Sequence, residues 1–208
     1  MTDPIIIVDY GMGNLGSIRN MLGYLGIPCL ITSEMDQIAN AKKIIIAGVG
    51  AFDYAINKLH EYRLWEVLER KALMEKTPIL GICLGMQIMT KKSEEGKQQG
   101  FGWIDGETIR FNFNDNLSKL KIPHIGWNTV SVEKESNIIT GLDSNSRFYF
   151  VHSFHIICYQ KKDILLSTNY GYNFPSGIQR ENIYGVQFHP EKSHRFGFRL
   201  LKSFAEYV

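Results

Sequence analysis

Thr77-Pro-Ile-Leu-Gly-Ile-Cys-Leu-Gly-Met-Gln-Ile-Met89 is the segment from which the remaining sequence is best read. Pro78 opens a short apolar run, Ile79 to Ile82, whose length and composition suit a buried strand, and Leu84 to Met89 then reads as the start of a helix. Cys83 stands at the junction, flanked by Gly81 and Gly85 as Gly-x-Cys-x-Gly. This is the cysteine counterpart of the nucleophile elbow, in which small neighbours allow a strained turn to push one side chain out of the sheet. A helix start beside the sulfur favours thiolate over thiol, so a nucleophile is expected at Cys83.

A nucleophile needs a base and a group that orients the base. Tyr184-Gly-Val-Gln-Phe-His-Pro-Glu191 runs from a β-like segment into His189, Pro190 and Glu191. Proline keeps the preceding residue extended, and in an extended chain residues two apart point to the same side. Glu191 is therefore expected to hold one nitrogen of His189 while the other faces Cys83. Taken singly, the cysteine reads as a small buried hydrophobe and the histidine as a structural side chain. Together they read as a Cys83, His189, Glu191 triad.

The combination resembles the class I glutamine amidotransferases, whose signatures are a Gly-x-Cys-x-Gly elbow and a late His-Pro-Glu. Within that class the chain is similar to the glutaminase subunits of imidazole glycerol phosphate synthases of the histidine pathway. The matching stretches are Asp9-Tyr-Gly-Met-Gly-Asn-Leu15, Gly48-Val-Gly-Ala-Phe52, the elbow, Pro123-His-Ile-Gly-Trp-Asn128, Tyr149-Phe-Val-His-Ser153 and Gln187-Phe-His-Pro-Glu-Lys192. They span nearly the whole chain.

The resemblance implies hydrolysis of L-glutamine through a thioester on Cys83, without a cofactor. Its oxyanion donors would be N–H groups of Val49, Gly50 and Leu84, and glutamine would be held by Gly48, Gly50, Gln87, Ser153 and Phe154. Ammonia would pass to a (β/α)-barrel cyclase that makes imidazole glycerol phosphate and an aminoimidazole carboxamide ribonucleotide. That partner would dock as a heterodimer near Trp127, Lys192 and Arg195. The chain departs from the family pattern at Ala47, where a proline would fix the entrance to the oxyanion loop. The residues leave open a different aminating synthase, for instance one that makes an amino sugar.

Independent readings of single residues point the same way. Gln87 lies one helical turn beyond Cys83, on the same face, so its amide can reach a ligand held at the sulfur. The run Ala47-Gly-Val-Gly-Ala-Phe52 follows a predicted strand, and a glycine-rich loop at the carboxyl end of a parallel strand offers N–H groups to a ligand. Trp127 reads as core or as part of a partner surface, and Lys192, His194 and Arg195 as a basic cluster beyond Glu191. The rival signal is Gly11-x-Gly13-x-x-Gly16, with Glu34 and Asp36 about 20 residues on, which fits a dinucleotide fingerprint and the alternative of a nucleotide-binding module.

Composition narrows the class. At 208 residues with 44% hydrophobic content, the chain suits one domain, 1–208, with a full core. Its 23 basic and 21 acidic residues leave a formal charge of only +2, which gives no reason to invoke nucleic acid or an anionic membrane as partner. Three cysteines at wide spacing suggest neither a disulfide framework nor a metal pair, and the histidines show no ligand spacing, so no metal is expected. The N-terminus lacks a signal-peptide pattern, and a soluble cytoplasmic protein is expected.

Strand-like runs at Ile5 to Val8, Cys29 to Thr32, Lys43 to Ile46 and Ile79 to Ile82 alternate with helical spacing at Leu15 to Leu25, Met35 to Ala39, Ala55 to Leu59 and Leu64 to Leu73. Such alternation predicts a mostly parallel open sheet covered by helices, flavodoxin-like. From Gly106 on, short β-like runs predict an antiparallel extension: Thr108 to Phe111, Thr129 to Val132, Phe148 to Val151, Ile156 to Tyr159, Ile164 to Thr168 and Ile183 to Phe188. An amphipathic helix is predicted from Gly197 to Tyr207.

Overall fold

The computed structural model describes residues 3–113, 120–143 and 145–208. Five parallel strands form the centre: β1 (Ile5–Val8), β2 (Cys29–Thr32), β3 (Ile44–Gly48), β4 (Ile79–Cys83) and, late in the chain, β12 (Ile183–Val186). Every residue of β1, β3, β4 and β12 is buried. A strand covered on both faces must present apolar side chains to both, which is why these segments read as unbroken apolar runs. Their alternation is visible in the packing. Ile6, Val8, Ile44 and Ile46 join one core with side chains of α3 (Phe52–Glu61) and α4 (Trp65–Glu69), while Ile5, Ile7, Ile45, Leu80 and Ile82 join a second with α1 (Leu15–Tyr24) and α6 (His194–Tyr207). Ile38 of α2 (Met35–Ala39) belongs to the first.

The antiparallel extension is continuous with this sheet. β12 pairs antiparallel with β11 (Tyr172–Arg180), β11 with β10 (Ile164–Tyr170), and β10 with the short β7 (Ser131–Val132). The complete order is β2-β1-β3-β4-β12-β11-β10-β7. Two antiparallel ribbons stand apart from it: β5 (Gly106–Arg110) with β9 (Phe154–Cys158), and β6 (His124–Thr129) with β8 (Arg147–His152).

Several expected elements differ in extent. Strand β11 is absent from the sequence reading, because Asn173, Pro175 and Gly177 look like turn residues. Pro175 is accommodated beyond the part of β11 that pairs with β12, next to a register irregularity in its pairing with β10, so little ladder bonding is lost. The expected strand from Thr129 to Val132 is split between two sheets, Thr129 ending β6 and Ser131 starting β7. The helix expected from Leu64 to Leu73 becomes π-helical from Arg70 to Met74. The strand expected to reach Phe188 ends at Val186, and α6 begins at His194 rather than Gly197.

The turn that carries Cys83 is held by backbone contact. α5 (Leu84–Gln87) crosses the end of β3 so closely that a Cβ on Gly85 would lie 1.8 Å from the carbonyl oxygen of Ile46. A Cβ on Gly81 would lie 2.7 Å from the carbonyl oxygen of Gly85. Backbone cannot swing aside as a long side chain can. Gly85→Ala is therefore expected to destabilise the protein by about 2 to 3 kcal/mol, at the upper end of overpacking costs, and to lower its urea midpoint. An unchanged midpoint would show that α5 can lift away from β3.

Candidate active site

Strand β4 delivers Cys83 to the carboxyl edge of the sheet, and the chain turns there with φ 53° and ψ −109°. A non-glycine residue in that region carries strain of order 1–3 kcal/mol. The surrounding close contacts impose it. Gly48, the last residue of β3, is the register partner of Cys83. Ala47, expected at the loop entrance, lies inside β3 opposite Ile82, and the loop begins at Val49.

β12 runs beside β4 with Val186 opposite Ile82, so Gln187, Phe188 and His189 are carried past the elbow. The backbone N–H of His189 donates to the Tyr149 carbonyl at 2.9 Å. His189 is extended as expected, with φ −103° and ψ 96°, but Pro190–Lys192 forms a 3-10 turn rather than a continued strand. Glu191 therefore comes back to His189 by a turn and not by alternation. The expected pairing is nevertheless formed: Nδ1 of His189 donates to Oε1 of Glu191 at 2.7 Å, with both side chains only 2% exposed.

Burial opposes charge on His189. Hydrogen bonding and charge from Cys83 and Glu191 outweigh it, and the ring is raised to about 10. Nδ1 is committed to Glu191, which leaves Nε2 for Cys83; Nε2 makes no hydrogen bond among the described residues. The hydrogen bond to the sulfur comes instead from Nε2 of Gln187, at 3.5 Å. An imidazolium held between a carboxylate and a sulfur is a proton donor ready for a leaving group.

Beside the sulfur lies a pocket of about 320 Å³, and Val49, Gly50, Cys83, Leu84, Gln87, Ser153 and Phe154 all line it. Gly48 packs directly behind it, against Leu84. The N–H groups of Val49 and Gly50 make no hydrogen bond within the described residues, which leaves them free to serve a ligand. Gln87 uses its Nε2 to donate to the Phe154 carbonyl at 3.0 Å and to Oε1 of Gln187 at 3.0 Å. Both donors are thereby spent inside the protein. Its Oε1 is the part left for a ligand.

Two residues of the site were not read from the sequence, and a third was read only as a reserve: should the base not be His189, His152 and His155 are the next candidates. Gln187 is fully buried, and only the proximity of β12 to β4 reveals its contact with the sulfur. Glu95 lines the pocket from the loop after α5, held by the N–H of Phe52 at 2.8 Å. The third is His152. Its Nδ1 donates to the Phe154 carbonyl at 2.7 Å, its Nε2 accepts from Nδ1 of His124 at 3.2 Å, and Nε2 of His124 accepts from the amide of Asn128 at 3.3 Å. This chain of bonds is complete only with both rings neutral. Burial enforces that, lowering His124 to about 4 and His152 to about 3. His152 supports the pocket wall and is no substitute base.

Trp127 is 45% exposed and stacks on His194, with ring centroids 5.5 Å apart. Together with Arg147, Arg195 and Phe196 it lines a second cavity, of about 650 Å³. Lys192 lies over the Tyr149 ring, whose edge meets Trp127. The three expected interface residues thus share one face beside the His189–Glu191 pair.

The dinucleotide reading fails on its third glycine. Gly11 and Gly13 have φ of 81° and 95°, and a Cβ on Gly13 would lie 2.8 Å from the Ala47 carbonyl, so these glycines serve a tight turn packed on β3. Gly16 has no heavy atom within 4 Å of where its Cβ would sit, whereas the fingerprint needs that glycine for close helix packing. Among the described residues no cluster of His, Cys, Asp or Glu could hold a metal, all three cysteines are unpaired, and no helix is long and apolar enough to cross a membrane.

This fold, with a cysteine elbow backed by a histidine and a glutamate, has clear relatives. The model of the glutamine amidotransferase class-I family matches residues 6–206, and the chain belongs to that family. It is 48% identical over 200 residues to an imidazole glycerol phosphate synthase subunit HisH 2 of Methanococcus maripaludis, covering 96% of this chain and 98% of the relative. A subunit HisH of Leptospira borgpetersenii is 46% identical over 199 residues, with 96% and 98% covered. Among solved structures, PurLQS of Thermotoga maritima superposes with a TM-score of 0.72 at 18% identity, with 99% of each chain covered. A glutamine amidotransferase of Thermotoga maritima gives 0.66 at 15%, over 98% of this chain and 83% of that one. These two likenesses establish the fold.

The raised His189 has a direct readout. Following its ring signals by NMR, titration is expected near pH 10 in the unmodified protein and lower in Glu191→Gln, since the carboxylate favours the imidazolium by hydrogen bond and by charge. The corresponding contribution to stability is complete below the ordinary histidine value of 6.5 and is lost as pH rises through about 10. An unshifted titration in the Glu191 variant would reduce that carboxylate to an orienting group.

Proposed function

We propose that this chain is the glutaminase subunit of an imidazole glycerol phosphate synthase. The observation that carries the reading is the meeting of Cys83 with the His189–Glu191 pair at the wall of a pocket lined by Gln87, Ser153 and Phe154. Glutamine enters with its side-chain amide at the sulfur. Thiolate attacks the amide carbon, and N–H groups from Val49, Gly50 and Leu84 stabilise the oxygen as it gains charge. His189 gives its proton to the departing ammonia, leaving a thioester on Cys83. A water that returns a proton to His189 then attacks the thioester and releases glutamate.

Gln87 presents an acceptor to the pocket and suits the α-ammonium of the substrate. Gly48 and Gly50 shape the loop side, and Ser153 and Phe154 the opposite wall. Ammonia released to water is largely protonated and loses its nucleophilicity, so the chemistry serves a coupled acceptor site. The HisH relatives named above are synthase subunits, which supports a separate acceptor-binding partner for this chain. We assign that partner as a (β/α)-barrel cyclase docking over Trp127, Lys192 and Arg195, the chain itself, residues 1–208, acting as one amidotransferase domain. A cytoplasmic setting accords with the three unpaired cysteines.

The test is glutamate formation with and without the cyclase and its nucleotide acceptor. Little turnover is expected from the chain alone and a large rise with both present, since unrestrained hydrolysis would consume glutamine to no purpose. Cys83→Ala should abolish turnover with circular dichroism unchanged, and His189→Ala should cost on the order of 10²- to 10⁴-fold. Glutamate from the Cys83 variant would remove the thioester route, and full turnover without the partner would remove the coupling.

A further inference from the structure

Tyr10 follows β1 in the Asp9-Tyr-Gly-Met-Gly-Asn14 turn, a motif that the triad does not use. Its side chain is fully buried, yet its hydroxyl has no hydrogen-bond partner. Burial, and then the charge of Cys83, push the phenol far above its ordinary range, so it remains a neutral donor at any physiological pH. A buried hydroxyl without an acceptor lowers stability, and a phenylalanine would fill the same space without that cost.

The surroundings show where an acceptor can come from. A Cβ on Gly48 would lie 2.4 Å from the Tyr10 hydroxyl and 3.2 Å from Cβ of Leu84. The hydroxyl therefore sits at the seam between the oxyanion loop and the nucleophile elbow, beside the register pair Gly48 and Cys83. The loop beyond Gly48 is lightly held. Val49 is exposed, Gly50 has φ 129°, and neither N–H is bonded within the described residues.

We propose that Tyr10 is a positioning residue for the oxyanion loop: its hydroxyl donates to a carbonyl of the Gly48–Gly50 segment in the arrangement that turns a loop N–H toward the oxyanion on Cys83. Rotating a peptide unit moves its carbonyl and the following N–H in opposite directions. A carbonyl brought down onto Tyr10 thus sends its N–H up into the pocket. The unsatisfied donor makes the resting arrangement less favourable, and the catalytic one, in which it is paired, is relieved of that cost. This inference rests on the glutaminase reading above.

Tyr10→Phe tests it, assayed as the complex with the cyclase and its acceptor, beside the unmodified protein. The variant is expected to melt at a higher temperature, because an unpaired donor is gone, and to be alkylated at Cys83 by iodoacetamide at the unmodified rate. KM for glutamine should hold while kcat falls by roughly tenfold, less than the loss of an oxyanion donor itself. A purely structural hydroxyl would move the melting temperature and leave kcat alone, and unchanged kcat overturns the proposal. A cycle with Gly48→Ala supplies a second measure. The added methyl presses on the hydroxyl, so its cost in kcat should shrink in the Tyr10→Phe background, and equal costs in both backgrounds would also overturn the proposal. If the unmodified complex forms no glutamate, the glutaminase reading itself falls; equal turnover by both proteins removes only the role of Tyr10.

Discussion

The carbonyl of Ile46 lies where a side chain on Gly85 would have to be, and much of the site follows from this single close approach. It lets α5 start directly at the end of β4, without a connecting loop. A chain that changes from strand to helix in one step must pass through an unusual dihedral pair at the junction, and Cys83 is the residue that carries it. The strain of that turn is held by the packed strands on either side, β3 and β12, so the sulfur is presented from rigid backbone rather than from a loop. Gly81 is required for the same reason from below.

Around this fixed sulfur the other groups are arranged by unequal burial. His189 and Glu191 are both hidden from solvent and paired, and hydrogen bonding and charge from Cys83 and Glu191 favour the imidazolium despite the cost of burial. Across the pocket, His124 and His152 are hidden without a negative partner, and burial leaves them neutral. The same side chain is thus a proton donor on one wall and a hydrogen-bonding spacer on the other. Neighbouring charge makes the difference.

The pocket wall is also tied to the face that carries Trp127. β6 holds Trp127, Asn128 and His124, and β8, its partner, holds Tyr149 and His152. The Tyr149 carbonyl fixes the backbone of His189, and the ring of His152 fixes the carbonyl of Phe154. One two-stranded ribbon therefore touches His189 on one side and the pocket wall on the other while exposing an aromatic and basic surface. That surface is thereby connected to both through hydrogen bonds already formed.

The strand, turn and helix of the elbow were legible in the residues, because unbroken apolar runs, glycine spacing and a late His-Pro-Glu are local signals. So was the pairing of His189 with Glu191, although Glu191 reaches His189 through a 3-10 turn and not along an extended chain. Strand β11 was hidden, since Asn173, Pro175 and Gly177 resemble turn residues until β10, and at Gly177 also β12, supply the antiparallel pairing that their propensities oppose. Gln187, Glu95 and Tyr10 were invisible as site residues for a related reason, and His152 was legible only as a reserve base. Each owes its place to a neighbour far away in sequence: Gln187 to the β4 and β12 pairing, Glu95 to the N–H of Phe52, His152 to His124, and Tyr10 to Gly48. Sequence by itself determined which chemistry the chain could perform, because that depends on residue types at short spacing. Only the tertiary structure decided which nitrogen, amide or hydroxyl has a partner, because burial and hydrogen bonding are settled by contacts between distant segments.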